Sequence, residues 1–525
     1  MIRTTDNRFT TDLDGLRALL EPRDDLLQEE RLSGPTVDDG ATRATFGCAD
    51  GPFDVYERTL LARSRPDGVV EVDEQIRWAV AIPIWGGLFR PLVVRQLRRD
   101  AAPELPGPGD EVQAPWWSPP ARLDARATTV ISRLCGLSML AGYLGTTITQ
   151  TLTFAADEFG ATKADQGTTL SSVRVGVLLS LVLMAAADRR GRKRLLTVCA
   201  AGGAIFSAAG ALSPNLWVLG GTQTVARAFS TALGLLIIVM AAEEMPAGGR
   251  AYAASVIAMT GALGGGLAVA LVSFADAAPW AWRIVYVAPL VLLPGYLRIA
   301  GRLPESRRFV RPHGKATLRG HRARLALLAT TGFFALAFLA PVSQFQNDFL
   351  KDEHGFSAPM LALFTIATNT PAGIGIVVGG RLADQRGRRL IGAIGTLGGA
   401  ALLAVGYQVG GGLLWLTFTV GTIVAAVTVP ALGVYGPELF PTALRGKANG
   451  LITLGGVVGS SVGLTIAGRL GDHYGRLGPG MALLAIGPVI VAALVIALYP
   501  ETAHVELEEL NPEDAVSTAL APPLR

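Results

Sequence analysis

Asp188-Arg189-Arg190-Gly191-Arg192-Lys193-Arg194 separates two apolar runs, one from Val175 to Ala187 and one beginning at Leu195. A charged turn this short between long apolar segments places two helices inside a bilayer, with the turn at the water boundary. The arrangement returns as Gly380-Arg381-Leu382-Ala383-Asp384-Gln385-Arg386-Gly387-Arg388-Arg389, and Asp384 stands 196 positions after Asp188. A loop that recurs after so long an interval implies two related halves.

Working outward, the chain from Ala127 onward is a series of twelve apolar runs, each near the ~20 residues a spanning helix needs. They fall approximately at 130–155, 167–187, 194–212, 215–241, 251–274 and 281–300, then at 324–347, 358–379, 389–409, 412–435, 448–469 and 480–499. Runs two and eight both lead into the charged turn. Glu243-Glu244-Met245-Pro246 with Arg250 follows run four, and Glu438-Leu439-Phe440-Pro441 with Arg445 follows run ten. Runs five and eleven carry glycines four residues apart, Gly261 and Gly265, then Gly455, Gly459 and Gly463. That spacing lines one helix face and lets a neighbouring backbone approach closely. The expected fold is therefore an all-α membrane protein of twelve transmembrane helices in two pseudo-symmetric six-helix bundles.

Half of the 525 residues are hydrophobic and 17% are charged, below the quarter usual for a soluble chain. A formal charge of +4 does not suggest nucleic acid. Cys48, Cys135 and Cys199 form neither a disulfide framework nor a CxxC metal pattern, and the five histidines are dispersed, so no metal and no cofactor are expected. No nucleophile–base pair or phosphate loop marks an enzyme, and the lack of a Walker loop excludes a self-contained ATP-driven pump.

Residues 1–125 read as a small α+β cytoplasmic domain with a linker. Thr11 to Arg31 has the spacing of an amphipathic helix, with Leu13, Leu16, Leu19 and Leu20 on one face and Gly34-Pro35 at its end. Phe53–Ala62 and Val69–Val80 alternate as two strands around the turn Arg65-Pro66-Asp67-Gly68. Ile84 to Arg99 reads as a basic amphipathic helix, packed in the domain or laid on anionic lipid. The Pro/Gly-rich stretch 101–121 is a linker, and Trp116-Trp117 suits a membrane-interface anchor. The N-terminus to Arg31 lacks the apolar core of a signal peptide. The remaining divisions are a first bundle at 126–301, a central loop at 302–323, a second bundle at 324–500 and a tail at 501–525. The basic residues Arg189–Arg194, Arg302–Arg324 and Arg381–Arg389 fall in alternate loops, whereas Asp157, Glu158, Asp165, Asp348, Asp352 and Glu353 fall in the opposite ones. This places both termini in the cytoplasm, and the plasma membrane is the expected location.

These residues resemble the major facilitator superfamily of secondary transporters. Its signature between helices two and three is similar to Gly-x-x-x-Asp-Arg-x-Gly-Arg-Arg/Lys. Gly380 to Arg389 matches it, with Gln385 in place of the usual base; the first copy has Met184 where the leading glycine is expected. Pro304-Glu305-Ser306-Arg307-Arg308, Glu438 to Arg445 and Pro500-Glu501-Thr502 resemble motifs of its sugar-porter-like, metabolite-transporting branch. The resemblance covers about 126–510 and implies alternating access. Carboxylate–arginine pairs at the loops would then act as a latch: Asp188, Arg189, Gly191, Arg192, Glu243, Arg250, Glu305 and Arg307 in one half, and Gly380, Asp384, Arg386, Gly387, Arg388, Glu438, Arg445 and Glu501 in the other. Asp188 and Asp384 can meet helix N-terminal amides or neighbouring arginines. Glu243 and Glu438 can pair with Arg192 or Arg388, or with other loop bases; the other reading, favoured for Arg189, Arg194 and Arg389, is that the charges merely fix topology.

Arg227 lies near the middle of run four, where a charge costs about 3 kcal/mol on insertion and so faces a cavity or a partner. It reads as a cavity cation for a carboxylate or sugar acid; the other reading is an arginine bonded to backbone carbonyls. Gln223, one turn earlier, joins it as a candidate. Gln150, Gln344, Gln346, Asn347 and Asn369 complete the candidate cavity, since an unpaired amide in hydrocarbon is costly. Arg133 and Arg174, nearer helix ends, read as snorkelling. No carboxylate lies deep in runs one or four; Asp348 is the next candidate for a proton, and facilitated diffusion fits equally well. The function expected is transport of a small polar or anionic solute, of the sugar or organic-acid class, with the bilayer as partner and protons as a candidate coupling ion. Efflux of drugs or secreted metabolites is an alternative, and a non-transporting solute sensor built on the N-terminal domain is another.

Overall fold

The structure is a computed structural model that describes residues 2–38, 41–66, 68–102, 118–119, 122–246, 250–305, 319–433, 435–440 and 444–502. The side chains of 38, 185–190, 242, 250–251, 319, 380–381, 384–385, 437–438 and 445–447 lie outside this description.

Alternation of inward and outward residues builds the first domain. Strands β1 (Arg3–Thr11), β2 (Gln28–Asp38), β3 (Ala41–Asp50), β4 (Phe53–Ser64) and β5 (Val70–Val80) form one antiparallel sheet in the order β1-β5-β4-β3-β2. Helices α1 (Leu13–Leu20) and α2 (Gly86–Leu97) accompany it. The sheet thus has three strands beyond the two expected. The helix expected over Thr11–Arg31 stops at Leu20: Asp12 starts it, its carboxylate accepting from the Gly15 amide at 2.8 Å, and Pro22 cannot donate to a further turn. Gly34-Pro35 lies inside β2, where the register against β3 shifts, rather than at a helix end. Glu29 turns into the core to meet Arg58 at 2.6 Å, with both side chains fully buried. Glu74 stands 3.5 Å from the same guanidinium, which lies 4.0 Å from the Phe46 ring centroid.

Twelve helical segments follow. In the first bundle these are α3 (Ala125–Phe159), α4 (Lys163–Arg190), α5 (Arg192–Gly210), α6 (Leu216–Glu244), α7 (Arg250–Val272) and α8 (Arg283–Gly301). In the second, α9 (Arg322–Gln344) is followed by α10 in two halves, Ala358–Asn369 and Ala372–Arg386, broken at Pro371. Then come α11 (Arg388–Gly406), α12 (Gly411–Ala426, continued by Thr428–Gly433), α13 (Arg445–Tyr474) and α14 (Gly478–Leu484 with Ile486–Leu498). Eleven of the described segments are long and apolar enough to cross a membrane. The twelfth, α5, opens on Arg192-Lys193-Arg194, which lowers its hydropathy. It still packs on α6 and α8, as its counterpart α11 packs on α12 and α14.

The glycine ladders serve close helix contact. A Cβ on Gly264 would lie 1.9 Å from the Met139 carbonyl oxygen of α3, and one on Gly459 would lie 2.1 Å from that of Phe333 on α9. Only glycine permits these two backbone-to-backbone approaches. The seams α3–α7 and α9–α13 therefore repeat each other across the two halves.

Candidate functional site

At the end carrying the charged turns, each bundle closes on itself. Gly191 has φ +95° and Gly387 φ +94°, a region open to glycine, so each chain reverses directly into the next helix. The reversal leaves helix N-terminal amides without intrahelical partners. Glu305, just past α8, accepts from the Arg192 and Lys193 amides at 2.9 and 3.3 Å. Glu501, just past α14, accepts from the Arg388 and Arg389 amides at 3.0 and 3.3 Å. The described carboxylates that meet these amides are Glu305 and Glu501, because the chain leaving the sixth helix of each bundle passes over the start of the third. Arg192 also pairs with Glu243, Arg126 meets Glu244 at 3.2 Å, and Arg388 reaches Thr502 at 2.9 Å. Arg386 is exposed. The side chains of Asp188, Arg189, Arg250, Asp384, Glu438 and Arg445, the Cα environment of Gly380 and the whole of Arg307 lie outside the described residues.

At the opposite end, polar side chains join one bundle to the other. Thr149 donates to Gln344 at 2.6 Å, and Asn347 donates to the Gln150 side chain at 3.0 Å. Gln166 donates to Asp348 at 3.0 Å, and Lys163 stands 3.6 Å from the other oxygen of that carboxylate. Asp472 accepts from the Lys163 and Ala164 amides at 2.9 and 2.8 Å, capping α4 from the other bundle. Lys351 pairs with Asp157. These bonds between the bundles lie at the end opposite the charged turns. Burial pushes the Asp348 carboxyl up to about 6, against the attraction of Lys163 and with repulsion from Asp352 adding to the rise.

One turn below this seam, Arg227 of α6 donates from Nη1 to the Gly145 carbonyl of α3 at 2.7 Å, and its Nε is buried without a partner. It is thus bonded to one backbone carbonyl and still has an unused donor. Arg174 of α4, read from sequence as a snorkelling residue, is half-buried. Its helix packs closely on that of Arg227: a Cβ on Gly176 would lie 2.9 Å from the Arg227 Cβ. Among the described residues, no carboxylate pairs with either arginine.

The other candidates divide. Gln150, Gln344 and Asn347 belong to the seam above the arginines. Gln346 reaches Thr365 at 3.3 Å within its own bundle. Gln223 turns away from Arg227 toward the Phe206 and Ser207 carbonyls of α5, at 3.5 and 3.4 Å. It is 3% exposed and fills the α5–α6 contact, so it does not line a cavity with Arg227. Asn369 is exposed and donates to the Thr365 carbonyl of its own helix at 2.9 Å. Arg174, Lys163, Gln166 and Asp472 are polar residues that sequence reasoning left outside the candidate site, and Asp348 entered it only as a candidate for a proton.

The profile of the Major Facilitator Superfamily matches residues 325–524. The gentisate transporter of Corynebacterium glutamicum is 26% identical over 348 residues, which is 60% of this chain and 74% of that protein. The cis,cis-muconate transport protein of Acinetobacter baylyi is 26% identical over 172 residues, 32% of this chain and 41% of that protein. Among solved structures, the xylose transporter of E. coli in an inward-open conformation superposes with a TM-score of 0.61 at 17% identity, over 74% of this chain and 99% of that one. The nucleoside transporter NupG gives 0.61 at 16% identity, over 71% and 100%. The match to the Major Facilitator Superfamily thus lies in the second half of the chain, and the relatives and solved structures that the chain resembles are membrane transporters and not enzymes.

Proposed function

We propose that this chain carries a small organic anion, a carboxylate, across the plasma membrane by alternating access, with Arg227 and Arg174 receiving the charge. The observation that carries this reading is a pair of neighbouring guanidinium groups at membrane depth with no described carboxylate against them. Buried cations of this kind cost several kcal/mol unless they are paired, and a carboxylate solute completes the pair with charge-assisted hydrogen bonds. The names of two relatives, a gentisate and a muconate transporter, support a carboxylate over a sugar. The basic loops assign the charged-turn end to the cytoplasm. Both termini lie on that side, as does the sheet domain. Asp348 is the group through which a proton would act, because it ties α9 to α4 inside the seam.

The test is uptake into proteoliposomes of an aromatic monocarboxylate, an aliphatic dicarboxylate and a neutral sugar, each with and without a pH gradient. Loss of one charge-assisted contact, about 1.5–3 kcal/mol, lowers carboxylate flux by roughly 10- to 150-fold in Arg227→Ala, and Arg174→Ala lowers it as well. Equal carboxylate flux in wild type and both variants would refute the assignment. Sugar flux exceeding carboxylate flux would move the substrate class.

A further inference from the structure

The sheet domain is docked on the first bundle. Thr129 of α3 donates to the Ala81 carbonyl at 3.1 Å, and Trp85 donates from its indole to the Ser132 carbonyl at 3.2 Å. Beside this contact lies a cavity of about 320 Å³ between the Asp24–Leu26 stretch, α2, α3 and α7, within the ~300–1,000 Å³ range of ligand sites. One end is polar. Asp25 Oδ1, Arg122 Nε and Thr128 Oγ1 are buried there without hydrogen-bond partners, although Thr128 is only 5% exposed. Leaving such atoms unpaired is destabilising, and a ligand that bonds them removes that cost. The other end is apolar and is bordered by Leu88, Met259 and Leu263, which are exposed.

The apolar end does not stop at the domain. The next residues along the same seam, Met139 and Tyr143 on α3 and Gly264 and Leu267 on α7, line a second cleft of about 690 Å³. From Thr128 to Tyr143, α3 rises ~22 Å, more than the ~15 Å of one leaflet of the hydrocarbon core. A polar head site followed by an apolar groove of that length has the dimensions of a membrane lipid, whereas a compact solute would fill one cleft and leave the other empty.

The charges choose the head. Asp25 is held by Arg23 at 2.7 Å, and Asp24 is paired with Arg122, so the two pairs are together neutral. Toward the cavity they offer one free acceptor, the Asp25 oxygen, and one free donor, the Arg122 Nε–H; Arg23, whose Nε and Nη1 are also buried without partners, is not among the residues that line it. We propose that this cleft binds a zwitterionic glycerophospholipid with a primary ammonium head. The ammonium donates to Asp25, the phosphate accepts from Arg122, and an acyl chain lies along the α3–α7 seam. A choline head has no N–H for Asp25, and a glycerol head has no positive charge for it.

The test uses the full chain, purified and stripped of lipid in detergent. It is mixed with phosphatidylethanolamine, phosphatidylcholine or phosphatidylglycerol of one acyl composition, or with O-phosphoethanolamine as the free head, and native mass spectrometry counts what stays bound. One phosphatidylethanolamine per chain is expected, retained at least tenfold above the other two lipids, with the free head unable to displace it. Asp25→Asn lowers retention about tenfold. Thr128→Val and Met259→Trp, which leave the Arg23–Asp25 pair untouched, lower it as well; circular dichroism and gel filtration confirm that each variant is folded. Equal retention of all three lipids, displacement by the free head, or full retention in folded Thr128→Val and Met259→Trp overturns the proposal.

Discussion

Replacing Asp348 with Asn isolates the charge buried in the seam. The carboxyl is 1% exposed and faces Gln166, Lys163, Asp352, Glu353 and Tyr407. Burial lifts it from the ordinary carboxylate value to about 6, roughly two units and so about 3 kcal/mol between its two protonation states. The folded chain keeps this proton at pH values where the unfolded chain has released it. The group's contribution to stability is therefore full below about pH 4 and is lost as pH rises to about 6. Asn keeps an oxygen for Gln166 and carries no charge, so its stability lacks this slope. The assay is unfolding of the purified protein in nanodiscs, followed by tryptophan fluorescence between pH 4.5 and 7.5. The wild type is expected to lose stability relative to Asp348→Asn across the lower half of that range, by about 2 kcal/mol, and the two curves run parallel above it. Parallel curves throughout would refute the buried-charge argument, and so would a wild type that gains on the variant as pH rises.

Glu305→Gln and Glu501→Gln each weaken the acceptor at one helix start. Because both carboxylates are exposed, each costs about 1 kcal/mol or less; the sites are far apart and the double variant sums the two, as thermal unfolding would show. Gly264→Val and Gly459→Val force α3 from α7 and α9 from α13, each at about 1–3 kcal/mol or more. Similar losses of folded yield are expected from the two, and an unaffected yield would mean that the helices do not approach as described. Arg58→Met strands two buried carboxylates and is expected to cost about 3–5 kcal/mol. Protease cleavage confined to the sheet domain would report it, while an uncleaved domain would count against the buried triad.

The two halves were legible because a charged turn between apolar runs has few readings, and this one occurs twice at one spacing. Arg227 was legible for a similar reason, as a charge where hydrocarbon is expected. The caps were not: Glu305 stands 113 positions from the Arg192 amide it meets, and local pattern gives no hint of such a pairing. The seam failed for the same cause, since Lys163, Gln166 and Asp348 acquire meaning only when α4 is laid beside α9. Gln223 misled because a shared face one turn from Arg227 does not fix which way a long amide turns. In the first domain, β2 carries Glu29, Glu30 and Arg31 beside Gly34-Pro35, a composition that hides a strand whose inward glutamate is satisfied by an arginine on β4.

The sheet domain touches α3 through Ala81, Ile84 and Trp85, and among the described residues its hydrogen bonds outside itself run to the first bundle alone. It is therefore a rigid pointer fixed to one half of the machine. A spectroscopic label on exposed Val37 would hold a constant distance to any label on α3. If the halves pivot as proposed, its distance to one on α13 changes, giving a direct readout of each transport cycle.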